Sequence, residues 1–155
     1  MDDRPSLSQI IYVSALDPAV GPTELLLLLQ RARVFNEQRQ ITGILVEVEG
    51  SILQVLEGEP ETISALFDRI SADPRHLRVL KLIQEPVEAR SFGDWSMGLA
   101  EMSRADIAAL PGMNDFFKGG RSLADLAPGR ARQVLSGFRR GMWHARVDSG
   151  AVVAR

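Results

Sequence analysis

Three polar side chains occupy positions of the sequence that are expected to face a dry interior. Tyr12 lies in a segment rich in β-branched residues, and Gln54 stands between Ile52 and Leu56 of a second apolar segment. Asn36 ends the apolar stripe of a predicted helix. Phenol and amide groups combine donors with acceptors, and a buried amide that lacks partners costs about 1–3 kcal/mol. We therefore expect these side chains to bond to one another or to a polar ligand.

Tyr12 and Gln54 are expected to meet, because the first and third strands of a split βαβ fold are commonly neighbours. Two interpretations of that pair remain open. In one, the two side chains form a structural hydrogen bond that backbone groups complete. In the other, a flat ligand between the two helices of the fold supplies the remaining donors and acceptors. For Asn36, the spacing alone favours a helix C-cap, because asparagine tolerates the left-handed conformation.

Other kinds of chemistry find little support. The chain has no cysteine, which excludes disulfides, thiolate chemistry, cysteine-bound zinc and a light-driven flavin–cysteine adduct. Only His76 and His144 are present, so we expect no His-rich metal site. We find no dinucleotide-binding or P-loop glycine motif and no convincing Ser-His-Asp set. Glu57 and Glu59 flank a turn and are expected to be solvated, and we predict that the chain is not an enzyme.

Composition and charge indicate a soluble protein of one domain with a modest extension. The 155 residues are 45% hydrophobic and 25% charged, with a net charge of -2, which argues against general nucleic-acid binding. The acidic, polar start of the chain is unlike a signal peptide, and the longest wholly apolar run, residues 25–29, is too short to span a bilayer. We expect a cytoplasmic protein without a membrane partner.

The elements that must position the polar residues follow from hydrophobic periodicity, which predicts the order β-α-β-β-α-β-β over residues 7–102. Gly50 marks the turn of a central hairpin, and Pro60 suits the first turn of the second helix. This order predicts an α+β, ferredoxin-like sheet with two helices on one face. The predicted strands span about residues 7–16, 41–49, 51–58, 77–85 and 96–102, and the predicted helices span 23–35 and 60–73.

The second face of the sheet also needs cover, because the strands are apolar on both sides. Residues 103–155 form an extension that we predict to be helical, with a turn at 106–110 and the best helix at 130–144. That helix presents an apolar stripe made of Val134, Leu135, Phe138 and Met142. The extension could cover its own sheet, a partner protein or a second copy of the chain.

Several spaced sequence blocks, taken together, point to a known family. These are "IIYVS", an asparagine followed five residues on by "ITGIL", then "LQVLEG", "DPRH" and "RSFGDWSMG". In this order and spacing, the chain resembles the BLUF family, which are blue-light sensors that bind FAD without a covalent link. The resemblance covers residues 7–102 as a photosensor domain. It implies a ferredoxin-like sheet with the flavin ring between the two helices.

The resemblance also implies roles for single residues. Tyr12 matches the photoactive tyrosine, which gives an electron and then a proton to the excited flavin. Gln54 matches the switching glutamine, which lies between that hydroxyl and the flavin N5 and O4 edge. Asn36 matches the asparagine that bonds the ring near O4 and N3. The remaining matches are Arg75 and His76 along the other side of that edge, Ser14 beside the switch, and Trp95 and Met97 as the signal relay.

Two positions depart from the family pattern. Phe35 stands where family members often carry a polar residue, so contacts to the ribityl or phosphate part of FAD are in doubt, and FMN or riboflavin is possible as the cofactor. Phe35 is alternatively a core residue. Leu53 stands where an aromatic residue is common.

The implied signal begins at the amide, which can hold two discrete hydrogen-bond patterns when it is buried. After illumination it would donate a stronger bond to flavin O4 and shift the absorption to the red. The change would then pass through Trp95 and Met97 to the helical extension, residues 103–155. With no cyclase or phosphodiesterase domain recognisable, we expect output through an unknown partner protein or a homo-oligomer, by default a homodimer.

Two other classes of function remain open. One is a ferredoxin-like small-molecule binding module without photochemistry, in which Tyr12 and Gln54 are a structural pair. The other is a flavin-dependent redox enzyme, which would need a general acid beside the flavin. The sequence offers no candidate for that acid.

Overall fold

The computed structural model describes residues 6–48, 50–92, 98–102, 130–139, 145–148 and 151–154. The strands are β1 (Ser8–Leu16), β2 (Thr42–Val48), β3 (Ser51–Gly58), β4 (His76–Pro86), β5 (Gly98–Met102), β6 (Ala145–Asp148) and β7 (Ala151–Ala154). The helices are α1 (Pro22–Gln38), α2 (Pro60–Ala72) and α3 (Arg130–Arg139). The first seven elements follow the predicted β-α-β-β-α-β-β order.

The main sheet has the strand order β4-β1-β3-β2-β5. β1 runs antiparallel between β3 and β4, and its register places Tyr12 directly opposite Gln54. The turn that joins β2 to β3 contains Gly50 with φ 88°, a left-handed conformation that glycine adopts without strain. The Gly50 carbonyl accepts a hydrogen bond of 2.9 Å from the Leu16 amide, which ties the end of β1 to this turn. The hairpin thereby helps to hold β1 in register with β3.

Prolines begin α1 and α2, as expected for a residue that has no amide hydrogen to leave unpaired. α1 ends later than predicted, at Gln38, and the left-handed residue that follows it is Gln40, with φ 55°. The Asn36 carbonyl accepts bonds from the amides of Arg39 (3.1 Å) and Ile41 (2.8 Å). The interpretation of Asn36 as a C-cap is therefore wrong, because favourable helix formers carry the helix two residues further.

The two faces of the sheet bury separate cores. The helix-side core lies under α1 and α2 and includes Ile10, Tyr12, Ile52 and Leu56. The opposite core contains the alternate residues of the same strands, together with Phe92 and side chains of α3; its buried members are Ile11, Val13, Ile44, Val46, Leu53, Val55, Phe92, Val134 and Phe138. Alternation along each strand thus places successive side chains in different cores, as predicted.

The extension covers its own sheet through α3. Val134 and Phe138 are buried in the second core, which supports the predicted apolar stripe of this helix. In the described part of the extension, α3 ends at Arg139, and β6 and β7 form an antiparallel pair. The extension predicted to be helical thus contains a helix, together with a pair of strands that was not predicted, since the segments flanking Ser149 and Gly150 favour strands separated by a turn. The turn predicted at 106–110 and the stripe residue Met142 lie outside the described residues.

None of the helices in the described ranges is long and apolar enough to cross a membrane.

We predict that Phe138→Ala lowers the free energy of unfolding by about 3–5 kcal/mol, because it removes a fully buried ring from the second core. Urea unfolding followed by circular dichroism measures the change. The matched control is Gln133→Ala on the exposed side of the same helix, which should change the unfolding free energy by less than about 0.5 kcal/mol. Equal stability of Phe138→Ala and the parent protein would mean that α3 contributes little to this core.

Candidate functional site

A cavity of about 380 Å³ opens between α1 and α2, above the helix-side face of β3. This volume lies within the range of about 300–1,000 Å³ that is usual for small-molecule sites. Its walls are mostly apolar, and they include side chains of α1, α2 and four strands of the main sheet. Four of the predicted site residues line it, namely Asn36, Gln54, Arg75 and His76. The cavity therefore gathers polar groups from distant parts of the sequence around an apolar space.

Tyr12 and Gln54 are joined directly, with the Tyr12 hydroxyl donating a hydrogen bond to Oε1 of Gln54. Tyr12 is fully buried, and its ring meets the edge of the Phe67 ring at a centroid distance of 5.4 Å. Burial raises the pKa of the Tyr12 phenol well above its ordinary value. The phenol is therefore a proton donor at neutral pH, and its bond connects it to an amide that lines the cavity.

Asn36 lies on the last turn of α1 with its side chain almost completely buried. Its backbone carbonyl accepts the two bonds that close the helix. The side-chain oxygen Oδ1 is buried at the cavity. The position of the side chain in the cavity wall supports its predicted role in ligand binding.

Ser14 and His76 form a second contact between β1 and β4, with 3.2 Å between the Ser14 hydroxyl and Nδ1 of His76. His76 is the first residue of β4 and lines the cavity. Burial lowers the pKa of His76, although the nearby Asp73 carboxylate opposes the shift. The imidazole is consequently neutral at pH 7, and it can donate from one nitrogen and accept at the other.

Arg75 is held by an acidic residue that the sequence analysis did not single out. Its Nε and Nη2 donate to the two carboxylate oxygens of Asp73 at 2.9 and 2.6 Å, and Glu24 lies 3.9 Å away. These hydrogen bonds lower the pKa of Asp73 to about 2. Asp73 also lines the cavity. The signal was available in the "DPRH" block, where the aspartate stands two residues before the arginine.

Phe35 and several arginines surround the outer part of the cavity. The guanidinium carbons of Arg39 and Arg69 lie 3.6 and 4.8 Å from the centroid of the Phe35 ring. Phe35 is partly buried, packs against the helix-side core and also lines the cavity. Arg31 and Arg69 line the cavity while remaining exposed. Neither arginine was predicted, because exposed arginines on helices are common and carry no distinguishing pattern.

Trp95 and Met97 lie outside the described residues, between residue 92 and β5. Their role as a signal relay stays a prediction.

The residues of the cavity fit the flavin that the sequence resemblance implies. A fused aromatic ring needs apolar contact on its faces, which the walls supply, and donors and acceptors along one edge, which Asn36 and Gln54 can supply. The exposed arginines at the outer part offer charge complementary to a phosphate-bearing side chain.

Comparison with known proteins identifies related sequences. The family model described as "BLUF: Sensors of blue-light using FAD" matches residues 7–98. The beta subunit of photoactivated adenylate cyclase from Euglena gracilis is 33% identical over 98 residues, which are 62% of this chain and 11% of that protein. The blue light- and temperature-regulated antirepressor BluF of Escherichia coli (strain K12) is 32% identical over 98 residues, covering 62% of this chain and 24% of that protein. This chain thus corresponds to only a small part of these relatives.

Solved structures share the fold over most of the chain. The dark-state structure of BlrB, a BLUF protein, has a TM-score of 0.62 and 29% identity, and the match covers 86% of this chain and 98% of that chain. Klebsiella pneumoniae BlrP1 with FMN and cyclic diGMP has a TM-score of 0.69 and 29% identity, and the match covers 87% of this chain and 35% of that chain. The predicted ferredoxin-like α+β fold is confirmed.

We predict that the Asp73 carboxyl titrates near pH 2 in the folded protein and that Arg75→Met returns it to near 3.8, its ordinary value. Because the folded-state pKa is depressed, the stabilisation from this ion pair is present above pH 4 and is lost as the pH falls toward 2. Carboxyl NMR titration measures the midpoints, and Arg78→Met, which changes an exposed arginine near the start of β4, is the control. A midpoint near 3.8 in the parent protein would show that the pair does not persist in solution.

Proposed function

Since this chain belongs to the BLUF family, sensors of blue light using FAD, we propose that its Tyr12–Gln54 pair is the switch of a blue-light photoreceptor. One observation carries the proposal: the buried Tyr12 hydroxyl donates directly to an amide that lines the cavity between α1 and α2. A light-insensitive binding module or a flavin redox enzyme would not need a buried phenol that is hydrogen-bonded to an amide able to rotate.

We propose that FAD is held with its ring in the cavity. When bound, the flavin absorbs blue light and in its excited state accepts an electron from a nearby donor. Asn36 and Gln54 would bond the polar edge of the ring. The ion pair of Asp73 and Arg75, which also lines the cavity, would lie at the same edge of the ring. Arg31 and Arg69 would place positive charge near the ribityl phosphate, which favours a phosphate-bearing flavin over riboflavin.

Tyr12 is suited to give up an electron and a proton and to take both back. Its hydroxyl hydrogen points at Oε1 of Gln54, so the proton has an acceptor at hydrogen-bonding distance. Its fully buried position disfavours a lasting phenolate, as the raised pKa of the phenol indicates. An electron that returned alone to the neutral phenoxyl radical would leave a buried phenolate, so the proton is expected to return with the electron and restore the phenol.

Gln54 supplies the two-state element. Its amide presents a carbonyl oxygen on one side and an NH₂ group on the other, so rotation or tautomer change exchanges donor and acceptor toward Tyr12 and the cavity. In a buried site, an arrangement that leaves one of these groups unmatched costs about 1–3 kcal/mol. Intermediate orientations are therefore disfavoured, and the amide settles in one pattern or the other.

The output of the switch is proposed to leave through the sheet to a partner protein or a second copy of the chain. The BLUF module is regulatory, and the relatives named above are a cyclase subunit and an antirepressor. β3 carries Gln54 toward the cavity and Leu53 and Val55 toward the core that α3 covers. A displacement of β3 therefore has a direct packing route to α3, and residues 103–155 are the proposed output segment.

Purified protein with FAD is expected to show a red-shifted flavin spectrum after blue light and to recover in the dark. We predict that Gln54→Leu binds FAD but loses this shift, because leucine keeps the volume and removes both hydrogen-bonding groups. Absorption difference spectroscopy measures the change, with Gln30→Leu, an exposed glutamine on α1, as the control. A parent protein that stays colourless with FAD, or a normal shift in Gln54→Leu, would contradict the proposed switch.

We predict that Tyr12→Phe retains FAD binding and fold but does not form the normal red-shifted state, since the ring remains and the proton donor is gone. Flash-induced absorption at visible wavelengths follows the photocycle. Ser8→Ala, which removes a hydroxyl from the far end of the same strand, should behave as the parent protein does. An unchanged difference spectrum in Tyr12→Phe would exclude this hydroxyl from the photochemistry.

A further inference from the structure

Glu57 is a buried carboxylate in a part of the sheet that the proposed switch does not use. It lies three residues after Gln54 on β3, and none of its surface is exposed. Its position was predicted to be solvated, and that prediction is wrong. Glutamate is almost never fully buried unless its oxygens are well satisfied, because burying an unmatched charge is costly. The surroundings of this carboxylate therefore need an explanation.

Four donors converge on the two oxygens of Glu57. Oε2 accepts from the side-chain amide of Gln9 (3.1 Å) and from the backbone amide of Ser91 (2.7 Å). Oε1 accepts from the hydroxyl of Thr42 (3.1 Å) and from the backbone amide of Phe92 (2.9 Å). Two of these donors are main-chain groups of the connection between β4 and β5. An ionised acceptor makes such bonds stronger than a neutral one.

Arg90 attaches the β4–β5 connection to the sheet by further hydrogen bonds. Its Nη1 donates to the Thr42 hydroxyl (2.8 Å) and to the backbone carbonyl of Glu57 (3.1 Å). Its Nη2 donates to the backbone carbonyl of Gln40 (2.8 Å), between α1 and β2. Three consecutive residues, 90–92, are thus attached to β3 and to the start of β2 by side-chain and backbone bonds.

The attachment also has an apolar component. Phe92 is fully buried and belongs to the second core with Leu53 and Val55 of β3 and Phe138 of α3. The connection is therefore attached to β3 in two ways. Its backbone amides bond to the Glu57 carboxylate of β3, and its Phe92 ring packs in the same core as side chains of β3. Residues 93–97, which lead from this point into β5, include Trp95.

We propose that Glu57 is a positioning residue that clamps the β4–β5 connection to the strand carrying Gln54, so that a change at Gln54 is delivered to residues 90–92. This inference rests on the proposed photoreceptor function. About three residues of extended strand, roughly 10 Å, separate the amide from the carboxylate. A strand paired on both sides transmits displacement along its length, and the clamp converts that displacement into movement of the connection.

The charge of Glu57, and not only its shape, is required by the donor set. All four partners offer hydrogens, so both oxygens must accept. Glutamine would replace one oxygen by an NH₂ group that faces two donors and would forfeit both of their bonds. Glu57→Gln is therefore a near-isosteric change that opens the clamp and leaves the cavity lining untouched.

The test is hydrogen exchange of the full chain loaded with FAD, in the dark and under blue light, followed by mass spectrometry of peptides that cover residues 89–97. In Glu57→Gln we expect the light-induced absorption shift to remain. We expect the Ser91 and Phe92 amides to exchange at least about tenfold faster in the dark, and the light–dark difference of this peptide to disappear. The matched control is Glu59→Gln, which makes the same chemical change at an exposed glutamate two residues further along the chain and should keep the light–dark difference.

Each outcome decides the question. An unchanged light–dark difference in Glu57→Gln would overturn the inference, and so would loss of the absorption shift, which would place Glu57 in the flavin site. If Glu57→Gln does not fold, Arg90→Met serves instead, with the same expected loss of the light response and retention of the absorption shift. If the parent protein shows no absorption shift, the proposed function fails, whereas dark exchange at Ser91 and Phe92 still reports on the clamp.

Discussion

The hydrogen bond from the Tyr12 phenol to the Gln54 amide is the contact on which the rest of the site depends. It exists because β1 and β3 are antiparallel neighbours in a register that sets the two residues opposite each other. A slip of one residue would turn one of these side chains to the other face of the sheet and separate the pair. The register is held where the Leu16 amide bonds to Gly50. Gly43 adds a further constraint on the next strand pair, because a Cβ there would lie 1.9 Å from the Val55 carbonyl oxygen.

The strand that carries the amide belongs to two environments at once. Even-numbered residues of β3 face the cavity and the two helices, whereas odd-numbered residues face the core beneath α3. Gln54 and Glu57 consequently lie on opposite faces of one strand. The first is an amide placed where two bonding patterns are available, and the second is a carboxylate that four donors fix in one. Because Gln54 can change its bonding pattern while Glu57 keeps the same partners, the site can rearrange locally without loss of the fold.

Much of this arrangement could be predicted from the sequence, because strand alternation shows which side chains share a face. Polar residues at apolar positions indicated Tyr12, Gln54 and Asn36, and topology indicated that the first two meet. The family resemblance supplied Arg75 and His76. The environment of Glu57 was not predictable, since its partners are contributed by residues 15 to 48 positions away and the carboxylate looks like any acid beside a turn. Asp73 was overlooked although the "DPRH" block places it two residues before Arg75. β6 and β7 were missed because a basic, apolar segment also fits a helix.

The position of α3 has a consequence for any protein that would bind the second face of the sheet. Val134 and Phe138 already occupy that face, and they are tethered to it by the chain itself. A tethered segment acts as an intramolecular competitor with a high effective concentration. An external ligand of this surface would first have to displace α3, and it would then find a ready apolar platform formed by Ile11, Val13, Leu53, Val55 and Phe92. Access to the platform thus depends in part on how firmly this ten-residue helix stays docked.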